Sequence, residues 1–300
     1  MRVRGTFGYG ATTAVLTVAM LAAIMQAHDA TRSGGTWVTA GESTEESPTP
    51  TLSTPTVELA PATPDATTPA TLLHQNPVTV TASGFWSWAL LDRRTGAIVG
   101  SANLGQAQST ASMIKAWLAA DYLRLAAERG QRPGTAALRQ LSIMIRDSDN
   151  AAASATYATV GRTASIKRLI SICGLTESRA GSGWSRTMIS ARDAVRMGGC
   201  IADGRAAGGT WTDWVLTELR GVRGSGRFGI IEALPSTEAA QTGIKNGWIN
   251  RSDGNWHVNC LAIAPTWVLA VETVYPVARG LAAGSAVCRS VTTQLMTVQP

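Results

Sequence analysis

Lysine is scarce in this chain: of its 26 lysines and arginines, three are lysines. Where any cation would serve, the sequence has arginine, so each retained lysine is informative. A guanidinium stays protonated at any working pH, whereas burial and a neighbouring charge can leave an amine neutral. Lys115 and Lys245 are therefore candidate bases, while Lys167, beside an arginine, is typical of a solvated helix face.

Basic runs are also absent. The net charge is +6 and the isoelectric point is near 9.5, yet the arginines stand singly or in pairs and no aromatic residues are interleaved with them. Basic composition alone specifies neither a groove contact nor a stacking platform, so we expect no nucleic-acid partner. With 45% hydrophobic and 15% charged residues, the chain has ample material for one or two globular domains.

Histidine and cysteine are few. The three histidines are isolated and no two cysteines have the spacing of metal ligands, so we expect no metal site and no cofactor. Four cysteines in an exported region would form two disulfides, for which three pairings are possible. We favour Cys173 with Cys200 and Cys260 with Cys288, because each bridge would fasten a helix to an element that it should pack against.

The amino-terminal region is typical of an exported protein. An apolar segment follows Arg2 and Arg4, which indicates an export signal or membrane anchor over residues 1–28 with the rest of the chain outside the cytoplasm. No small-residue cleavage pattern follows it, which favours an uncleaved anchor that places the protein at the membrane. Residues 29–78 are rich in Thr, Pro and Ser and are predicted to form a disordered tether.

The remaining residues, 79–300, alternate between strand and helix patterns. Strands are predicted at 85–91, 97–100, 242–249, 256–263 and 267–275, and helices at 110–129, 135–146, 151–160, 164–172, 191–202, 211–219 and 284–296. This order predicts an α+β fold. An antiparallel sheet of about five strands would be flanked by helices, with an all-helical subdomain inserted between strands 2 and 3.

Three short motifs follow one another in this frame. They are Ser112-Met113-Ile114-Lys115, Ser148-Asp149-Asn150 and Lys245-Asn246-Gly247. In this order they resemble the Ser-x-x-Lys, Ser-Asp-Asn and Lys-Thr-Gly motifs of the class A β-lactamases and penicillin-binding proteins. The resemblance covers nearly the whole folded part of the chain, and it implies a serine hydrolase that acts through an acyl-enzyme.

The resemblance assigns a role to each side chain. Ser112 would be the nucleophile, and Lys115, one helical turn along, would take its proton if the amine is neutral. Lys245 would supply a second cation that disfavours the charged form of Lys115. Ser148 would relay the proton to the leaving nitrogen, and Asn150 would bind the substrate amide and orient Lys115.

The resemblance also implies which groups bind the substrate carbonyl and carboxylate, and most of them lie in or next to the third motif. The backbone N–H groups of Ser112 and Trp248 would hold the oxyanion, and Gly247 would let substrate approach the strand. Asn246 stands where threonine is usual, and its amide could donate to a substrate carboxylate. Arg251, just past this strand, could also meet a carboxylate or could simply be solvated.

One element of the family is missing. No Glu-x-x-Leu-Asn, which class A enzymes use to activate the deacylating water, precedes the helix that starts near 191. Glu177 is the acid in that region, and a solvated carboxylate is the simpler interpretation of it. The loop over residues 174–190 also looks short, and its Trp184 could line the cleft or belong to the core.

The sequence therefore predicts an exported serine hydrolase that forms a Ser112 acyl-enzyme with β-lactams or D-Ala-D-Ala-type peptides. Without a deacylating base its efficiency as a β-lactamase is in doubt. The alternatives are a D,D-carboxypeptidase-like penicillin-binding enzyme and a catalytically silent cell-wall binding module on the same fold.

Overall fold

The computed structural model describes residues 77–296. The predicted export signal and nearly all of the predicted tether lie outside the described residues. The strands are β1 (Phe85–Asp92), β2 (Ile98–Gly100), β3 (Gln108–Ser109), β4 (Met188–Ile189), β5 (Gly243–Ile244), β6 (Gly247–Asn250), β7 (Asn255–Ile263) and β8 (Trp267–Pro276). The helices are α1 (Lys115–Glu128), α2 (Thr135–Arg146), α3 (Asn150–Thr159), α4 (Thr163–Cys173), α5 (Ala191–Ala202), α6 (Gly209–Arg220), α7 (Ile230–Ala233), α8 (Ser236–Gln241) and α9 (Gly280–Met296).

The main sheet is antiparallel and has the order β2-β1-β8-β7-β5, with β6 also paired to β7. The predicted α+β class and the helical block between the early and the late strands are confirmed. Two details differ. The predicted strand 242–249 is broken into β5 and β6, and the inserted block is not all-helical, because β3 and β4 form a small antiparallel pair within it. Two-residue strands are too short to leave an alternating pattern in a sequence.

The sheet is covered on both faces. Gly198 of α5 approaches Val268 and Leu261 so closely that an added Cβ would collide with Val268, whereas Gly284 of α9 approaches Val258. Successive residues of a strand point to opposite faces, so α5 and α9 lie on opposite sides of the sheet. The glycines let both helices pack at short distance.

Both predicted disulfides are confirmed. Cys173, the last residue of α4, is bonded to Cys200 of α5, and Cys260 of β7 is bonded to Cys288 of α9. The first bridge closes the chain across the 174–190 loop, and the second fastens the closing helix to the centre of the sheet. Within residues 77–296, no helix is both long and apolar enough to cross a bilayer.

Candidate active site

Ser112 lies in a turn of 3-10 helix, Ala111–Ile114, that precedes α1. The sequence predicted one helix from residue 110, but Ala111 has a φ of 46°, which an α-helix cannot accommodate, so α1 begins only at Lys115. The N–H of Thr110 donates to the Thr187 carbonyl at 2.8 Å, which ties the turn to β4. Ser112 is nearly buried, with 9% of its surface exposed.

Lys115 is fully buried and its ammonium faces the second motif. Nζ donates to the Ser148 carbonyl at 2.5 Å and to Asn150 Oδ1 at 2.8 Å, and it lies 3.3 Å from Ser148 Oγ. Within residues 77–296, no hydrogen bond joins Lys115 to the Ser112 hydroxyl. Such contacts commonly form only when substrate is bound, so this arrangement is compatible with the predicted role of Lys115 as a base for Ser112.

Lys245 approaches the same hydroxyl from the sheet. It sits at the break between β5 and β6, where its Nζ donates to Ser148 Oγ at 3.0 Å and to the Asn246 carbonyl at 3.2 Å. Because the strand is interrupted between β5 and β6, Lys245 lies outside both strands, and its side chain points towards Ser148. Ser148 therefore lies between two lysines that come from different parts of the fold.

Burial makes the charged form of both lysines costly. It lowers the pKa of Lys115 from 10.5 to about 8, and the Asp149 carboxylate partly opposes that shift. Burial and then the neighbouring Lys115 charge hold the pKa of Lys245 well below its ordinary value. The sequence predicted that Lys245 would depress Lys115, but burial is the main cause for both, and the repulsion between them acts most on Lys245.

The second motif is held in place by its own local structure. Ser148 has a φ of 58°, and Asp149 caps α3 by accepting from the N–H of Ala152 at 2.6 Å. The cap fixes the start of α3, so Asn150 and Ser148 both face Lys115. No effect of Asp149 on Lys115 was predicted from the sequence. The Asp149 carboxylate raises the pKa of Lys115, and the sequence pattern of a helix cap does not indicate that effect.

Gly247 brings the third motif against the turn that carries Ser112. A Cβ at this position would collide with the Thr110 carbonyl and would lie 2.8 Å from the backbone nitrogen of Ser112. Only glycine allows β6 to lie this close to the turn. The two predicted oxyanion donors, the N–H groups of Ser112 and Trp248, therefore belong to segments in direct contact.

Trp184 covers the cleft from the 174–190 loop. Its ring centroid lies 4.8 Å from Lys115 Nζ, and its Nε1 donates to Ser154 Oγ at 3.3 Å. The ring thus shields the ammonium from water on the face opposite α1 and stabilises whatever positive charge it carries. Of the two interpretations left open by the sequence, the structure favours the cleft.

Comparisons with known proteins agree with this arrangement. No family model matches the chain. Over 204 residues it is 28% identical to proteins named "Putative lipoprotein LppW" from Mycobacterium bovis and Mycobacterium tuberculosis, and it spans 63% of their length. The match covers 63% of this chain.

Solved structures give a longer match. A β-lactamase from Chitinophaga pinensis superposes with a TM-score of 0.61 at 15% identity, over 72% of this chain and 94% of that one. A β-lactamase from Xanthomonas campestris gives 0.61 at 16% identity, over 72% and 92%. An ancestral class A β-lactamase gives 0.58 at 17% identity, over 71% and 94%. The chain has the class A β-lactamase fold.

Within this β-lactamase fold, Asn246 does not occupy the role predicted for it. Its Nδ2 donates to the carbonyls of Gly226 at 3.0 Å and Phe228 at 2.8 Å, and the side chain is 1% exposed. Both N–H groups are therefore used to hold the 224–228 segment, and neither is left to bind a substrate carboxylate. The prediction that Asn246 binds substrate through its amide is wrong, because the backbone carbonyls of that segment take the donors.

Trp248 packs over the same segment. Its ring meets Phe228 edge-on at 5.6 Å and lies 5.9 Å from Lys245 Nζ. The indole thus covers one side of the Lys245 ammonium, as Trp184 does for Lys115. A role in substrate binding rests on its backbone N–H rather than on its ring.

The omega-like loop of this β-lactamase fold is organised by Asp193. Its carboxylate accepts from the N–H of Thr176 at 3.0 Å, from the N–H of Glu177 at 2.7 Å and from Ser178 Oγ at 2.8 Å. Glu177 in turn accepts from Ser190 Oγ at 3.0 Å and pairs with Arg192 at 3.0 Å. Glu177 is thus an ion-paired loop residue rather than a freely solvated one.

Arg251 is also built into the framework of the cleft. Its Nε donates to Ser109 Oγ at 3.1 Å and its Nη2 to the Ser185 carbonyl at 2.6 Å. It therefore joins the end of β6 to the strand before the nucleophile and to the turn that carries Trp184. These two hydrogen bonds give Arg251 a structural role. Whether its remaining N–H groups meet a substrate carboxylate or water stays a prediction.

Proposed function

We propose that this protein is an exported serine hydrolase in which Ser112 forms an acyl-enzyme with β-lactams or D-Ala-D-Ala-type peptides. One observation carries the proposal. Two buried lysines with depressed pKa values, Lys115 and Lys245, converge on the Ser148 hydroxyl at 3.3 and 3.0 Å, and the nearly buried Ser112 precedes Lys115 by three residues. A structural role alone would not require two buried amines around one hydroxyl.

The acylation step follows from this arrangement. Neutral Lys115 takes the proton of the Ser112 hydroxyl while Oγ attacks the carbonyl carbon, and the N–H groups of Ser112 and Trp248 bind the oxyanion. The C–N bond then breaks. The proton passes from Lys115 through Ser148 to the leaving nitrogen, and Lys245 donates a hydrogen bond to Ser148 Oγ during the transfer.

Release of the acyl group is the weaker half of this chemistry. The one acid in the shortened loop, Glu177, has both carboxylate oxygens engaged by Ser190 and Arg192. This supports the D,D-carboxypeptidase-like or penicillin-binding alternative over an efficient β-lactamase. The acyl-enzyme would then accumulate, because the one carboxylate of the 174–190 loop is already engaged.

Export is the setting that fits this chemistry and the two disulfides. The mycobacterial relatives are named as lipoproteins, which supports a location at the membrane. In this chain the first cysteine is Cys173, so attachment would rest on the apolar segment in residues 1–28. Residues 29–78 would then act as the tether between that segment and the hydrolase domain.

Intact mass spectrometry over time tests the proposal. The purified protein and two variants are each incubated with benzylpenicillin. The variants are Ser112→Ala and, as a matched control, Ser182→Ala at an exposed position of the 174–190 loop. An adduct in the wild type and in the Ser182 variant, and none in the Ser112 variant, is expected. A persistent adduct indicates the penicillin-binding alternative, and a transient one indicates β-lactamase turnover. If neither β-lactams nor D-Ala-D-Ala thioesters label Ser112, the protein is a binding module and the proposal is refuted.

A further inference from the structure

A row of three polar side chains lies inside the protein behind the nucleophile. Glu272 on β8 is the register partner of Ser87 on β1 and of Asn259 on β7. Partners in an antiparallel register point to the same face, with Cβ atoms roughly 4.5–5.5 Å apart. All three are 0% exposed, so Glu272 sits in the middle of a buried row on the face covered by α5.

This row ends at the segment that carries the nucleophile. Asn259 Nδ2 donates to the Ser109 carbonyl at 2.7 Å, and Ser109 stands three residues before Ser112. The segment needs fixing, since Ala111 between them has a φ of 46°, a conformation that costs energy for a residue with a Cβ. Asn259 therefore restrains the backbone where the turn is strained.

The other polar atoms of the row have no partner among the described residues. They are Ser87 Oγ, Asn259 Oδ1 and both carboxylate oxygens of Glu272. An ionised Glu272 would have no donor for Asn259 Oδ1, and the charged side chain that acts most on it is the like-charged Asp193. A neutral carboxylic acid carries a hydroxyl donor, which can satisfy Asn259 Oδ1.

We propose that Glu272 is a protonated positioning residue whose hydroxyl donates to Asn259 Oδ1, while the Asn259 amide donates to the Ser109 carbonyl. This inference rests on the proposed function only where it concerns acylation. The protonation of Glu272 can be tested without any activity.

The surroundings agree with a neutral acid. Burial, and then the charge of Asp193 on α5, raise the pKa of Glu272 well above 4.5. Titratable groups on the same side of the sheet already have partners: His257 on β7 is engaged by Ser109 Oγ and Asp253 at 3.1 Å each. Arg251 donates to Ser109 Oγ at 3.1 Å and Lys245 to Ser148 Oγ at 3.0 Å. Arg196 on α5 pairs with Asp193 at 2.9 Å, so that cation is already used.

Protonation has a measurable signature in stability. Unfolded Glu272 would lose its proton above its ordinary pKa of about 4.3, while the folded protein keeps it. The stabilising effect of this group is thus fully present below that pH and is lost as the pH rises through its folded pKa. Glu272→Gln cannot titrate and mimics the acid, with one acceptor and one donor.

Urea unfolding of the wild type and of Glu272→Gln between pH 5 and pH 8 is the first test. The ratio of their unfolding constants is expected to change by up to tenfold per pH unit in favour of the Gln variant. Other titrating groups are common to both proteins and cancel in the ratio. Parallel pH profiles of the two proteins would overturn the proposal. It would also be overturned if Na⁺ or K⁺ specifically raised the free energy of unfolding of the wild type but not of the Gln variant, because a bound cation would then balance an ionised Glu272.

Acylation by a fluorescent penicillin tests the positioning role. Glu272→Gln should react at the wild-type rate, whereas Glu272→Leu, and separately Asn259→Ala, should be about tenfold slower, the effect of one lost hydrogen bond of typical strength. A folded Leu or Ala variant that reacts at the wild-type rate refutes positioning. If even the wild type does not react, the proposed function fails, but the unfolding data still decide the protonation of Glu272.

Discussion

Replacing Lys115 by arginine is the sharpest test of the acylation chemistry. The amine is fully buried and its pKa is lowered to about 8, so an appreciable fraction is neutral near physiological pH. A guanidinium keeps the positive charge at this position but stays protonated at any working pH. Lys115→Arg therefore removes the base while it preserves the charge.

The pKa sets the expected pH dependence. With a pKa of about 8, about one amine in a hundred is neutral at pH 6, about one in ten at pH 7 and about half at pH 8. The acylation rate of the wild type should rise about tenfold from pH 6 to pH 7 and level off above about pH 9, because only the neutral amine accepts the Ser112 proton. A positioned general base contributes about 10²–10⁴-fold to a rate, and Lys115→Arg should lose a factor in that range together with the rise.

The assay is the rate of labelling by a fluorescent penicillin at pH 6 to 9, with circular dichroism to verify that each variant is folded. Lys167→Arg is a matched control, since it makes the same substitution at an exposed position of α4. That control should keep both the wild-type rate and the rise with pH.

Two results would refute this reasoning. If Lys115→Arg reacts at the wild-type rate, Lys115 is not the base. If the Arg variant is slow but keeps the rise with pH, the titrating group is elsewhere, and Lys245 is then the candidate because it shares the Ser148 hydroxyl.

Three further variants give independent tests. Trp184→Leu keeps an apolar side chain over Lys115 but removes the ring that attracts its ammonium, so the pKa of Lys115 should fall and the rise in acylation should move to lower pH in the same labelling series. Gly247→Ala should slow labelling by at least tenfold, since its Cβ would push β6 away from the Ser112 turn; an unchanged rate would contradict this contact. Cys173→Ala combined with Cys200→Ala should lower the free energy of unfolding by about 3.5 kcal/mol, the loop-closure entropy for a separation of 27 residues, and denaturant titration measures that loss.

The elements that the sequence predicted well are those governed by local pattern. The spacing of apolar residues gave the bounds of α2 and α5, and the predicted elements that carry the cysteines favoured the two disulfide pairings that the structure has. The order of three motifs suggested one cluster, and hydrogen bonds do join Lys115 and Lys245 to Ser148.

The features that the sequence could not predict depend on partners distant along the chain. The direction of the Asn246 amide is set by carbonyls 18 and 20 residues earlier. The 3-10 turn before α1 depends on the positive φ of Ala111, for which an alanine gives no signal. Trp184 reaches Lys115 only because the loop between two cysteines is folded back by Asp193.

That loop also bears on how the reaction ends. For Glu177 to activate water at Ser112, its carboxylate would have to leave both Ser190 and Arg192, while its backbone N–H is held by Asp193 at 2.7 Å. A hydrogen bond to a charged group contributes about 1.5–3 kcal/mol, and a partly exposed pair with arginine less, so the rearrangement would cost a few kcal/mol before any chemistry. Acylation breaks no ion pair, since Lys115 already lies beside the Ser148 hydroxyl, although its amine has to turn from the Ser148 carbonyl and Asn150 to meet Ser112. The site is therefore better arranged to form the acyl-enzyme than to hydrolyse it.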